Sequence, residues 1–171
     1  MTNERSLTLA ALNSSIQMEI DGRNYYLEMH KACRQEEGRK LFQTLAAEED
    51  IHRQNFEKIF RIITAQKKWP EEKPEIPESR RSTLFSEAAK NADVTESELE
   101  AIRKAMEMEN KTRDFYLERA EKATFQAEKQ FYTILAREER THHNLLQDYY
   151  EFMQDAAQYY SVKEKHSLDG G

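Results

Sequence analysis

The sequence predicts an all-α protein, a four-helix bundle built from two repeated helical hairpins with a long crossover between helices 2 and 3. Three observations carry this. Helix breakers are scarce in the 171 residues: the three prolines (Pro70, Pro74, Pro77) share one short stretch, and two of the four glycines are Gly170 and Gly171. Two long segments are therefore free to run as helix, while sandwiches, barrels and glycine-dependent nucleotide folds are disfavoured. Apolar residues recur every three or four positions, the period of one helix face. The two halves also repeat at a constant offset of 90 residues, which pairs Met18-Glu19 with Met108-Glu109, Arg23 with Arg113, and Tyr26-Leu27-Glu28 with Tyr116-Leu117-Glu118. The same offset pairs Leu45-Ala46 with Leu135-Ala136, Glu48-Glu49 with Glu138-Glu139, and His52 with His142. A duplicated hairpin is the simplest account.

Each element follows in order. The first helix is expected over about 6–33, with Leu9, Leu12, Ile16, Glu19, Arg23, Tyr26, His30 and Cys33 on one face. Gly38 falls in the polar break 34–39 that follows. The second helix, about 40–67, turns Leu41, Leu45, Glu49, His52, Phe56, Ile59 and Ile63 inward. Residues 68–94 read as the crossover, with a short helix over 83–90. Thr95-Glu96-Ser97-Glu98 is a capping box that opens the third helix, because its side chains can satisfy the first backbone N–H groups. The stripe there is Leu99, Ile102, Met106, Glu109, Arg113, Tyr116 and Ala120. The fourth helix, about 125–155, carries Phe131, Leu135, Glu139, His142, Leu146, Tyr149 and Met153. One domain is expected over 1–155, with hairpins 6–67 and 95–155 and a tail from 156 to 171. A crossover long enough to run the length of the bundle makes helices 2 and 3 parallel.

Charge and cysteine count narrow the function. The balance is 26 basic against 32 acidic residues, net −6, with no basic block, which argues against nucleic acid. No apolar run approaches a membrane span. Cys33 is the single cysteine, so neither an intrachain disulfide nor a four-thiolate metal site can form. A reduced, cytoplasmic location is the expectation.

The chemistry lies inside the stripes. Glu19 and Glu109 each interrupt an apolar face, and Glu49…His52 and Glu139…His142 give Glu-x-x-His twice. At that spacing Glu and His share a helix face, about 5–6 Å apart at Cβ. Four glutamates and two histidines should then converge at mid-bundle. Ionised carboxylates in a core are costly unless paired or bound to metal, and two divalent cations would offset the four charges. Oxygen-rich ligation with one nitrogen per metal suits iron or manganese over the usual zinc sites. One Glu from each of two helices plus Glu-x-x-His from each of the other two is the di-iron pattern of helical bundles. Glu48 and Glu138 fall toward the flank and read as solvated or as supporting the ligands, with replacement of a neighbouring ligand as the alternative. His143 reads as a surface residue, His30 as a hydrogen-bonded core residue, His166 as solvated and Cys33 as a small core residue. Tyr26 and Tyr116 are expected to pack as aromatics, to hydrogen-bond a ligand carboxylate, or to relay electrons.

At these positions the sequence resembles the rubrerythrin family, the ferritin-like proteins with a di-iron domain. The matching motifs are Glu19…Tyr25-Tyr26, the run from Leu45 to His52, Glu109…Phe115-Tyr116 and the run from Leu135 to His142. The resemblance implies two iron ions, with manganese or zinc as substitutes. It makes Glu19 and Glu109 terminal ligands, Glu49 and Glu139 bridging ligands, and His52 and His142 one cap on each metal. It also implies a homodimer, and Tyr25, Phe60, Phe115, Tyr150 and Phe152 read as outward apolar residues. The implied activity is reduction of hydrogen peroxide, or of dioxygen, in oxidant defence. A ferroxidase or iron-handling role and a metal-free structural bundle are the alternatives. Two features depart from the family pattern. The paired Cys-x-x-Cys motifs of a rubredoxin module are missing, so electrons would come from a separate donor such as a rubredoxin. The family's extra glutamate three residues after the helix-3 ligand is Thr112, with Gly22 as its repeat mate, which puts the ligand exchange attributed to that glutamate in question.

Overall fold

The computed structural model describes residues 2–66, 68–70 and 96–168, with side chains within 5–155. Four helices account for almost all of them: α1 (Thr2–Ala32), α2 (Glu36–Gln66), α3 (Glu96–Lys122) and α4 (Gln126–Leu168). α1 packs along α2, and α3 along α4. The expected crossover beyond residue 70 and the short helix over 83–90 lie outside the described residues, as does Thr95 of the capping box.

The stripes meet in two apolar clusters, one at each end of the bundle. One joins Tyr26 and Cys33 of α1 to Leu41, Phe42 and Leu45 of α2, Leu99 and Ile102 of α3, and Leu146, Tyr149 and Met153 of α4. The other joins Leu12, Phe56, Ile59, Ile63, Trp69, Tyr116, Ala120, Phe131, Tyr132 and Leu135. The start of α2 and the start of α3 thus share one end, so these two helices are parallel, as expected. Every residue of the stripes expected for helices 2 and 4 is buried. In α1 and α3 the inner face is rotated slightly. Ser15, Gly22 and Ala105 are buried, while Arg23, His30 and Arg113 sit half-buried on the flank. Arg23 reaches Asp50 at 3.3 Å, and His30 Nδ1 lies 2.9 Å from the carbonyl oxygen of Arg39. Long cationic side chains keep their heads in water and leave the tightest positions to small residues.

Three expectations are corrected. Gly38 does not interrupt the chain; the break is at 33–35 and Gly38 lies in the first turn of α2. α4 runs on through Leu168, past the expected end at 155. The supposedly outward Tyr25, Phe60, Phe115, Tyr150 and Phe152 are half-buried against the two clusters, and Tyr25 donates a hydrogen bond to the Ala101 carbonyl oxygen at 2.8 Å. Among the described residues the large apolar side chains that face outward are Leu7, Leu117 and Phe125. Among the described residues no helix is long and apolar enough to cross a membrane.

Gly38 is needed for close approach. A β-carbon there would lie 2.2 Å from the Tyr149 hydroxyl oxygen and 2.4 Å from Cys33 Sγ. Gly→Ala within a helix ordinarily gains up to about 1 kcal/mol, but overpacking a buried site costs about 1–3 kcal/mol. Gly38→Ala is therefore expected to destabilise, and a melting curve above that of the parent protein would refute this packing.

Candidate metal centre

Between the two clusters the core turns polar. Glu19 and Glu109 are buried on α1 and α3, Glu49 and His52 on α2, and Glu139 and His142 on α4, none more than 3% exposed. Each comes from the helix position that would otherwise hold a leucine or phenylalanine, so the apolar stripe itself drives the acids inward. His52 Nδ1 lies 3.4 Å from Glu19 Oε2, 3.9 Å from Glu49 Oε2 and 3.4 Å from Glu139 Oε1. His142 Nδ1 lies 3.2 Å from Glu49 Oε1, 3.6 Å from Glu109 Oε1 and 3.7 Å from Glu139 Oε2. The imidazoles stack with centroids 5.6 Å apart.

The six side chains form two overlapping groups, Glu19–Glu49–His52–Glu139 and Glu49–Glu109–Glu139–His142, whose donor atoms lie within 4.8 Å of one another in each group. Glu49 and Glu139 belong to both. Residues 10–150 match the family model described as Rubrerythrin.

The chain belongs to the rubrerythrin family.

No curated protein and no solved structure matches it. Rubrerythrins are ferritin-like helical bundles, and the donor set here fits the iron pair that the family holds. The fit is visible in what the protein alone fails to satisfy. Glu19 Oε2, Glu109 Oε2, Glu139 Oε1 and His52 Nδ1 are buried without a hydrogen bond of ordinary geometry. Orphaned acceptors in a dry core are strongly unfavourable, and a cation is the group that would satisfy several together.

Electrostatics lead to the same place. Burial raises the Glu49 and Glu139 carboxyls, and neighbouring carboxylates (Glu19 for Glu49, Glu109 for Glu139) push both well above the usual range. Burial also acts on Glu19 and Glu109, but hydrogen bonds and the charge of the facing histidine outweigh it and leave both low. His52 and His142 gain from those carboxylates more than burial takes away, so both are raised. Without metal, this rubrerythrin shares protons among acids that cannot all ionise.

The neighbours of the site divide into those foreseen and those missed. The hydrogen-bond expectation for the tyrosines is met, but across the repeat: Tyr26 donates to Glu109, and Tyr116 donates to Glu19. Burial, reinforced by these carboxylates, raises both phenols well above their ordinary range, so they remain donors. Glu48 is a partner rather than a solvated flank residue, with Oε2 2.9 Å from His142 Nε2. That contact aims Nδ1 at the cluster. Glu138 is 8% exposed, so it is buried rather than solvated. Gly22 lies beside Glu49: a β-carbon in place of one of its α-hydrogens would be 3.4 Å from the carboxyl carbon. That is an ordinary van der Waals contact, and it shows only once α1 is laid against α2. His143 is half-buried on another face, and the side chain of His166 lies outside the described residues.

Proposed function

We propose that the protein is a non-haem di-iron oxidoreductase that reduces hydrogen peroxide, with dioxygen as the lesser substrate. Two donor groups joined through Glu49 and Glu139 are the single observation that carries the reading. In it Glu19 and Glu109 each serve one metal, Glu49 and Glu139 serve both, and His52 and His142 each add one nitrogen. A bound ferrous pair would supply the two electrons that divide the O–O bond. The protein's own residues do the rest. Tyr26 and Tyr116 fix the orientation of Glu109 and Glu19 through their hydrogen bonds. Glu48 selects the His142 tautomer that offers Nδ1 inward. The apolar clusters on either side keep bulk water from the acids, which preserves the strength of their charges. Oxidant defence in a reduced, cytoplasmic setting, electrons from a separate donor such as a rubredoxin, and a homodimer complete the proposal.

The test is stoichiometric. Ferrous-loaded protein is mixed anaerobically with hydrogen peroxide, with and without reduced rubredoxin, and iron oxidised and peroxide consumed are both counted. Sustained peroxide consumption that requires the donor and leaves the metals bound is expected. Oxidation of added ferrous iron far beyond the bound pair, with no response to the donor, would instead make the protein a ferroxidase. Failure to retain any metal would leave a structural bundle.

A further inference from the structure

The two repeats differ behind their tyrosines. Phe42 stacks on Tyr26 with centroids 6.2 Å apart, whereas its repeat mate is Tyr132, 5.8 Å from Tyr116. Trp69, the one tryptophan of the chain, lies 6.2 Å from Tyr132. Tyr116 and Tyr132 are fully buried and Trp69 is 5% exposed. Since Tyr116 donates to Glu19, an unbroken row of oxidisable rings (phenol, phenol, indole) leads from a proposed metal ligand to the end of the bundle. There α2 stops at Gln66 and α4 begins at Gln126. In the other half Tyr26 has the half-buried Tyr25 phenol beside it at 6.1 Å, but among the described residues no row of phenol and indole runs from it to the end of the bundle. Between Tyr26 and Tyr149 stands Phe42, 6.0 Å from the Tyr149 ring, and a plain benzene ring is far harder to oxidise than a phenol.

Packing does not explain the difference. Phe42 shows that phenylalanine suits this register of the bundle. The Tyr132 hydroxyl is buried beside the Ser15 hydroxyl, which itself donates to the Ala11 carbonyl oxygen at 3.0 Å.

We propose that Tyr116, Tyr132 and Trp69 form an electron relay between the metal centre and the α2–α4 end of the bundle. The inference rests on the peroxide-reducing reading above. One electron leaves Tyr116 for the centre while its phenolic proton moves to Glu19 along the existing hydrogen bond. Tyr132 refills Tyr116, which recovers its proton, and Trp69 refills Tyr132, so neither tyrosine changes overall. The oxidised indole releases its N–H proton to water and is restored by a one-electron donor protein. Without a donor, two electrons leave Trp69 in succession and water supplies an oxygen atom, giving hydroxytryptophan and two protons. The first hydrogen peroxide would take its two electrons from the ferrous pair; these two electrons and two protons from Trp69 convert a further hydrogen peroxide to two waters.

The balance supplies the test. Ferrous-loaded protein is treated with several equivalents of peroxide per iron pair, anaerobically and without donor, in heavy-oxygen water, and its peptides are analysed by mass spectrometry. Heavy-oxygen hydroxytryptophan is expected at Trp69, and none in metal-free protein given the same peroxide. Tyr132→Phe, which places in one repeat the residue the other already has, should keep its metal content and melting temperature, lose the Trp69 product and accumulate oxidation at Tyr116. Equal Trp69 labelling in Tyr132→Phe, or oxygen derived from peroxide, overturns the relay. So does an unmodified Trp69 in protein that binds iron and consumes peroxide. Protein that retains no iron or consumes no peroxide refutes the underlying reading instead.

Discussion

Glu49→Ala should remove both metal ions together, although only one carboxylate is lost. Glu49 contributes to both donor groups, so neither group keeps its full set. Glu19→Ala, by contrast, touches one group and should leave one ion bound. Metal analysis after loading and desalting separates the two variants, and retention of two ions by Glu49→Ala would refute the ligand assignment. Thermal stability offers a second readout. Ligand at a hundred times its Kd stabilises a protein by about 2.7 kcal/mol per site, so about 5 kcal/mol for two. For a chain of this length roughly 2–4 °C of Tm accompanies each kcal/mol, and loading should raise Tm by roughly 10–20 °C. Glu49→Gln should lose that gain while its metal-free form melts no lower than metal-free wild type, because the amide is neutral without having to hold the proton that Glu49 must keep in the metal-free fold.

The metal-free protein should lose stability as pH rises, and metals should restore more of it the higher the pH. Glu49, Glu139, His52 and His142 all hold their protons more tightly in the fold than their ordinary values of 4.5 and 6.5 imply. A group raised on folding contributes fully below its unfolded value, and that contribution disappears as pH climbs through the folded one. The window therefore opens just above 4.5 for the two glutamates and above 6.5 for the histidines. Glu19 and Glu109 are lowered, so their contribution is present above 4.5 and fails only as pH falls below it. Metal must displace the protons held by the first four groups, and its affinity rises with pH for the same reason. Melting curves with and without Mn(II), from about pH 5 to about pH 8.5, check both trends. A metal-free Tm that rises across that range, or a metal-induced shift that ignores pH, would contradict this charge arrangement.

Much of this was legible before any fold was drawn. A carboxylate at the place of a core leucine, repeated 90 residues later, is visible because helix periodicity says which side chains point together. The parallel course of α2 and α3 followed from a crossover long enough to cross the bundle. What stayed hidden depended on how one helix is rotated against another. Single-helix periodicity admitted Arg23 and His30 to the inner face, but the stripe is wide enough for Ser15 and Gly22 to take the buried positions instead. Gly38 looked like a break because its reason, the Tyr149 hydroxyl and Cys33 pressed against its α-carbon, comes from α4 and the end of α1. The partner of Glu48 is a histidine 94 residues away, which no local pattern reveals. That each tyrosine serves the opposite glutamate also lies beyond periodicity, which orders residues along one helix and says nothing about distances between two.

The exchange of tyrosines has a consequence for ancestry. Tyr26 supports Glu109 and Tyr116 supports Glu19, so a lone hairpin carries a carboxylate without its brace and a brace without its carboxylate. Before duplication, such a peptide could complete this arrangement only by pairing with its own twin. In the single chain the two hairpins are held as such a couple, and each is free to differ from the other where the pairing does not constrain it, as Phe42 and Tyr132 do.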